Sequence, residues 1–252
     1  MLSKNKIKLL RGLQRKKVRK SSKFYIVEGP KLVAEILFTG ADWHELYATE
    51  SWLRSNPILV NDKRLVLVNE KDLAQISSLK SPNEVLMVLK KDTVQDFSLI
   101  VSNPFVLALD GVNDPGNLGT IIRNADWFGV CHILCSLKTV DQYNPKVIQS
   151  AMGSFQRVQL HYGNLIEMLS NFKSHTIMAC DLSGTSIYEC DFKEPLVLVM
   201  GNESHGVSDI LSAVVHQNIT IPSFSPTTDS LNVSVATGIV LSTIKGQIKL
   251  KK

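Results

Sequence analysis

From Phe105 onward the chain repeats one pattern, and that pattern restricts the folds open to it. Short apolar runs appear at 105–109, 130–135, 176–180, 196–200 and 218–221, with helical patterns between most of them. Continuous apolar runs suit strands buried on both faces, and such strands belong to a parallel sheet covered by helices. The expected C-terminal fold class is therefore α/β with a parallel sheet, over 105–252. The segment 24–90 reads as a smaller α/β unit. In it, Leu32, Val33, Ile36 and Leu37 recur at helical spacing after Gly29-Pro30, and Asp72 to Ile76 form a short helix. Strands are expected at Leu46-Tyr47-Ala48, at Arg64 to Val68 and at Val85 to Leu89. The more polar stretch 91–104 reads as a linker between the two units.

Charge separates a third segment. Residues 1–27 hold ten Lys or Arg and no acid, whereas the remaining 18 basic residues face all 23 acids. A basic arm (1–23) on a slightly acidic body suits a polyanionic partner, and by itself admits RNA, DNA or a membrane surface. The hydrophobic fraction of 44% and charged fraction of 20% are those of a packed globular chain rather than a disordered one. No apolar run approaches the roughly 18 residues of a membrane span. The basic stretch leads into Phe24-Tyr25-Ile26-Val27-Glu28, too short and too soon charged for a signal peptide, so a cytoplasmic location is expected. The cysteines at 131, 135, 180 and 190 form no Cys-x-x-Cys pair and read as free thiols. The six histidines offer no His-x3-His with a third ligand, so no metal site is expected.

Three segments carry candidate chemistry. In the first, an apolar run ends at Leu109 and enters Asp110-Gly111-Val112-Asn113-Asp114-Pro115-Gly116-Asn117, followed by a helical pattern. Such a loop lets a ligand approach bare backbone, and the helix N-terminus favours anions. On a helical wheel over 118–128, Leu118, Ile121, Ile122, Ala125 and Phe128 share one face. Arg123 lies nearly opposite and so points to solvent, to a partner subunit or to a substrate. The glycines fit neither Gly-x-Gly-x-x-Gly nor Gly-x4-Gly-Lys-Ser/Thr, which argues against an ordinary dinucleotide or ATP site.

In the second, the run Leu196 to Met200 ends in Gly201-Asn202-Glu203-Ser204-His205-Gly206. Ligands in open α/β sheets sit beyond the carboxyl ends of strands, which places Glu203 well; it could equally cap a following helix. Ser204-His205 is no hydrolase elbow, because position 202 is Asn rather than Gly. In the third, Asn218 to Ile221 and Pro222 lead through a polar loop to Ser230-Leu231-Asn232-Val233-Ser234-Val235-Ala236. Apolar positions 235, 236, 239, 240 and 244 then fit one helix face.

In this order the segments resemble the three motifs of the SpoU (TrmH) RNA 2′-O-ribose methyltransferases of the SPOUT superfamily. The first is Asp114 to Arg123, the second Met200 to Gly206, and the third Ile221-Pro222 with Ser230 to Ala236. The resemblance spans roughly 105–246. Phe24 to Val33 also resembles that family's substrate-binding domain, itself similar to small ribosomal RNA-binding proteins. Ser204 departs from the family's usual Gly, which implies altered loop detail rather than lost activity.

The resemblance implies a deep C-terminal trefoil knot, a homodimer with the site near its interface, and S-adenosylmethionine as cofactor. Backbone around Met200, Gly201, Ile221 and Leu231 would hold the adenosine, with Ser230 and Asn232 shaping the pocket. Asn117, Arg123 and Glu203 would line the catalytic side. Arginine has a pKa above about 12 and rarely deprotonates, so Arg123 is expected to position phosphate and to stabilise charge on the 2′ oxygen. Glu203 would hold Arg123 or an RNA hydroxyl. Lys16, Lys17, Arg19 and Lys20 are expected to grip structured RNA, with 23S ribosomal RNA favoured by the extra N-terminal domain. The alternatives are a transfer-RNA ribose methyltransferase, a base methyltransferase of the wider superfamily, and a non-catalytic RNA-binding assembly protein on the same fold.

Overall fold

The computed structural model describes residues 2–79, 81, 84–91, 97–225 and 227–250, the side chain of Leu250 excepted. It divides into two compact units, Met1–Thr93 with Tyr143–Gly153, and Val94–Gln142 with Ser154–Lys252.

In the first unit the basic segment folds into two helices, α1 (Lys4–Leu13) and α2 (Lys16–Ser21). They precede β1 (Phe24–Glu28), α3 (Pro30–Thr39), β2 (Trp43–Ala48), α4 (Glu50–Arg54), β3 (Leu65–Leu67), α5 (Glu70–Ile76) and β4 (Val85–Lys90). The sheet order is β1-β4-β2-β3, with β4 antiparallel to both neighbours and β2 parallel to β3. Alternation along β4 sends Leu86 and Val88 into one cluster with Ile26, Tyr47, Leu73 and Ile76. Leu10 and Leu13 of α1 close that same cluster. The basic segment is thus a layer of the unit, docked through its apolar face while its cations remain outside.

Arg19 is the exception, and the expectation of an RNA contact there is corrected. Its residue is only 2% exposed. Its guanidinium donates to the carbonyls of Leu13 (3.1 Å) and Gln14 (2.6 Å), groups that the end of α1 leaves without helical partners. Charged hydrogen bonds of this kind contribute about 1.5–3 kcal/mol. Arg19→Met is therefore expected to lower the unfolding free energy by about 2 kcal/mol, read by urea titration, with S-adenosylmethionine affinity unchanged. Unaltered stability together with weakened RNA binding would return Arg19 to the RNA-contacting set.

The second unit opens with α6 (Phe97–Val101), whose buried Ile100 joins a core cluster although it falls in the stretch expected as linker. Positions 92–96 of that stretch lie outside the described residues. Then follow β5 (Phe105–Leu109), α7 (Pro115–Trp127) and β6 (His132–Ser136). The helix α8 (Pro145–Ala151) belongs to the first unit, where Gln149 Nε2 donates to the carbonyl of Glu28 at 2.8 Å. The remaining elements are β7 (Gln159–Gly163), α9 (Leu165–Leu169), β8 (Thr176–Ser186), β9 (Leu196–Met200), β10 (Gln217–Thr220) and α10 (Val233–Leu250).

All six strands of the second unit run parallel, in the order β10-β8-β9-β5-β6-β7. Val106, Ala108, Val197 and Val199 pack in one cluster with Ile100, Leu165, Leu169 and Phe172. The alternate positions Leu107, Leu109, Leu196 and Leu198 face the other way and are equally buried. The α/β class and the parallel sheet covered on both faces are as expected. From β5 the chain runs outward to β6 and β7, then returns to the opposite side for β8, β9 and β10. The strand order therefore reverses between β5 and β9, the position at which open α/β sheets form a ligand crevice.

Candidate active site

The two strands flanking that reversal end in the first two motif loops. After β5, Gly111 adopts φ +77°, a conformation that favours glycine, and its amide donates to Ser136 Oγ at 2.9 Å. Asp114 then caps α7, its Oδ1 accepting from the Asn117 amide at 2.9 Å, with Pro115 at the first helical position. Leu118, Ile121, Ile122 and Ala125 form the buried face of α7, as the wheel requires. The far end of α7 is anchored by Asp126, which accepts from Ser154 Oγ and from Arg157 at 2.7 Å each. Burial alone would raise the Asp126 carboxyl, but these two donors hold it below the ordinary carboxylate range.

After β9, Asn202 and Gly206 close a tight turn through backbone hydrogen bonds of 2.8 and 3.0 Å. Asn202 Oδ1 accepts from the amides of Ser204 (2.9 Å) and His205 (3.3 Å). Its Nδ2 donates across to the Gly111 carbonyl at 2.6 Å, tying the second motif loop to the first. Ser204 lacks a positive φ, so the usual Gly is not demanded there by backbone conformation. Gly201 is demanded by space, because a Cβ on it would fall 2.1 Å from the carbonyl carbon of Gly206.

Glu203 reaches back to the entry of α7. Its Oε1 accepts from Asn117 Nδ2 (3.0 Å) and the Asp114 amide (3.3 Å). Its Oε2 accepts from the Asn113 amide (3.4 Å) and Asn202 Nδ2 (3.3 Å). It does not cap a helix that follows it in sequence. The third motif joins the same network: Asn232 Nδ2 donates to Asn117 Oδ1 at 2.9 Å, while Asn232 Oδ1 accepts from the Ser234 amide at 2.9 Å at the start of α10. Asn117 thus stands at the centre, with both ends of its amide used, one by each neighbouring motif. Asn124 Nδ2, further along α7, bonds the Ser234 carbonyl at 2.8 Å.

The structure brings Asn117, Glu203 and Asn232 together and leaves Arg123 apart. Arg123 is exposed and makes no ion pair or hydrogen bond among the described residues. It shares the outer stripe of α7 with Thr120 and Trp127, and Trp127 is 84% exposed. Of the residues expected around the cofactor, Met200 is buried at the end of β9 and Ile221 stands one residue beyond β10. Ser230 is exposed, and Leu231 carries an apolar side chain 47% exposed. Asn202, Asn113 and Asp114 carry no site role in the sequence reading; Asp114 and Asn202 stand there only as members of the first and second motifs, and Asn113 only as one of the polar residues of its loop. Among the described residues, no three His, Cys, Asp or Glu side chains group closely enough to hold a metal ion.

Comparison with known proteins agrees with this geometry. The SpoU rRNA methylase family profile matches residues 104–242, and an MRM3-like substrate binding domain profile matches 4–87. The 23S rRNA (guanosine(2553)-2'-O)-methyltransferase RlmP of Bacillus subtilis is 27% identical, over 96% of this chain and 96% of its own. A putative RNA methyltransferase of the TrmH family from Porphyromonas gingivalis superposes with a TM-score of 0.84 and 35% identity, over 97% of this chain and 98% of its own. An AdoMet-bound rRNA methyltransferase from Sinorhizobium meliloti gives a TM-score of 0.86 and 27% identity, over 98% of this chain and 97% of its own.

Proposed function

Since the chain belongs to the SpoU rRNA methylase family, we propose that it transfers the methyl group of S-adenosylmethionine to the 2′ hydroxyl of a ribose in 23S ribosomal RNA. The observation that carries this reading is the bonded line Asn232–Asn117–Glu203, which joins all three motifs at the strand-order reversal.

The residues present fit S-adenosylmethionine. The turn at Gly201 admits only bare backbone, exposed Leu231 offers apolar surface, and Ser230 adds a neutral hydroxyl. Neutral donors and acceptors beside apolar surface suit an adenosine better than a charged pocket would. When bound, the cofactor supplies a methyl group on a cationic sulfur. The chain supplies orientation: Asn117 and Glu203, each fixed by at least two bonds, hold their side of the site rigid before RNA arrives. The planar fork of Arg123 suits an RNA phosphate and the negative charge developing on the 2′ oxygen.

The active form is read as a homodimer in which Arg123 serves the partner's site. Supporting this is the outer face of the second unit, where Thr120 and Asn124 of α7 line a groove with Val235 and Ile239 of α10. Exposed Trp127 stands on the same side of α7, and an exposed apolar face of this kind marks an interaction surface. The trefoil knot is part of the same reading and rests on the family to which the chain belongs. Segment 24–90 is read as the RNA substrate-binding domain, helped by exposed Lys16, Lys17 and Lys20. Among the described residues no helix is long and apolar enough to cross a membrane, and a cytoplasmic location suits an enzyme acting on ribosomal RNA.

The test is transfer of a labelled methyl group from S-adenosylmethionine to unmodified 23S rRNA, followed by digestion to nucleosides. A ribose-methylated nucleoside from one site is expected. A base-methylated product, or label confined to transfer RNA, would overturn the reading.

A further inference from the structure

The fold sorts the cations of the N-terminal segment by what surrounds them. Lys6 is paired with Glu45 at 2.7 Å, and Arg19 is buried against backbone carbonyls. Lys4, Lys8, Arg11 and Arg15 are exposed and make no ion pair among the described residues. Lys4, Lys8 and Arg11 follow one another along α1 at steps of four and three residues, which places them on one stripe. Arg15, between α1 and α2, continues the line. All four border a single surface groove, with Gly12 and Gln75 also lining it.

The stripe is held in place from behind. Leu10 and Leu13 are buried in the core of the unit, and Gln14 Nε2 donates to the Ile76 carbonyl at 2.7 Å. Like charges at helical spacing repel, and no acidic side chain among the described residues neutralises them. A row of positive charge fixed on a rigid support is suited to a polyanion. It is less suited to a lipid surface, because Leu10 and Leu13 of α1 are already buried in the unit and Leu9 alone leaves little apolar area to insert.

We propose that this groove is a phosphate track, in which Lys4, Lys8, Arg11 and Arg15 hold successive phosphates of the RNA substrate. The proposal rests on the RNA-methyltransferase reading for the identity of the polyanion. It assigns the work of the basic segment chiefly to α1 rather than to Lys16, Lys17 and Lys20. Phosphate binding of this kind carries no base sequence, so it anchors the RNA while specificity arises elsewhere.

The experiment compares the 252-residue chain with a variant carrying Lys4→Gln, Lys8→Gln, Arg11→Gln and Arg15→Gln. Binding of an unmodified 23S rRNA transcript is measured across a salt series, alongside KM and kcat for methyl transfer. Each phosphate no longer held should reduce the slope of log affinity against log salt by about 0.7, so the variant slope should fall by about 3. KM for RNA should rise at least tenfold, while kcat at saturating RNA and S-adenosylmethionine affinity stay unchanged. Arg11→Gln alone should lower the slope by about 0.7, a result that partial misfolding would not mimic. Equal slopes and equal KM for wild type and the fourfold variant would overturn the track and leave the methyltransferase standing. A slope reduced as expected, in a system where the wild type methylates no RNA, would retire the methyltransferase reading and keep the track.

Discussion

Arg123→Ala is expected to cut methyl transfer on the order of 10²- to 10³-fold, the usual loss when one preorganised donor to a developing oxyanion is removed. S-adenosylmethionine affinity should not change, and neither should stability beyond about 0.5 kcal/mol, because exposed side chains without partners contribute little to the fold. Arg123→Lys should rescue poorly, since a point charge does not reproduce a planar fork. The dimer reading adds a sharper expectation. Arg123→Ala and Glu203→Gln are each expected to be nearly inactive alone. In an isologous dimer whose sites draw Arg123 from one copy and Glu203 from the other, mixing the two should restore about a quarter of the wild-type rate. No recovery, with subunit exchange shown independently, would place Arg123 in the site of its own copy and remove that argument for the dimer.

Gly201→Ala is expected to abolish cofactor binding under ordinary assay conditions. An added Cβ would lie 2.1 Å from the Gly206 carbonyl carbon, 2.3 Å from the Val207 nitrogen and 2.4 Å from the Gly206 oxygen. These are backbone atoms, so no side chain can swing away to relieve the clash. The Asn202–Gly206 pairing must open, and with it the Asn202 bond to Gly111 and the aim of Glu203. Overpacking of this kind costs about 1–3 kcal/mol in stability. Calorimetric titration with S-adenosylmethionine should show affinity reduced by more than tenfold, and urea unfolding a lower midpoint. Unchanged cofactor affinity would mean that the turn after β9 does not form part of the cofactor cradle.

Legibility in the sequence followed burial. The strands at 105–109 and 196–200 were readable to the residue because they lie at the centre of a parallel sheet, where every position is apolar. The edge strand β7 escaped, since Gln159-Leu160-His161-Tyr162-Gly163 carries the polar residues that an edge tolerates. The five residues of α6, Phe97-Ser98-Leu99-Ile100-Val101, are mostly apolar, but they span little more than one helical turn, too short to show a period. The outward direction of Arg123 was readable because it depends only on the pitch of one helix. The partners of Glu203 and Asn232 were not, because they come from elements far away in the chain.

The sequence by itself determined the alternation of buried strands and helices, the inward face of α7, and the three motif loops with their residues. These depend on local periodicity and on the chemistry of turns, which neighbours in the chain dictate. Only the tertiary structure decided that Asn117 is gripped by Glu203 and Asn232, which stand 86 and 115 residues away. It also decided that Arg19 is buried while Lys4, Lys8, Arg11 and Arg15 face outward, and that α8 belongs with the first unit. In each case the cause is the same. A side chain's partners are whatever packing brings within hydrogen-bond reach, and the order of residues along the chain does not encode that distance.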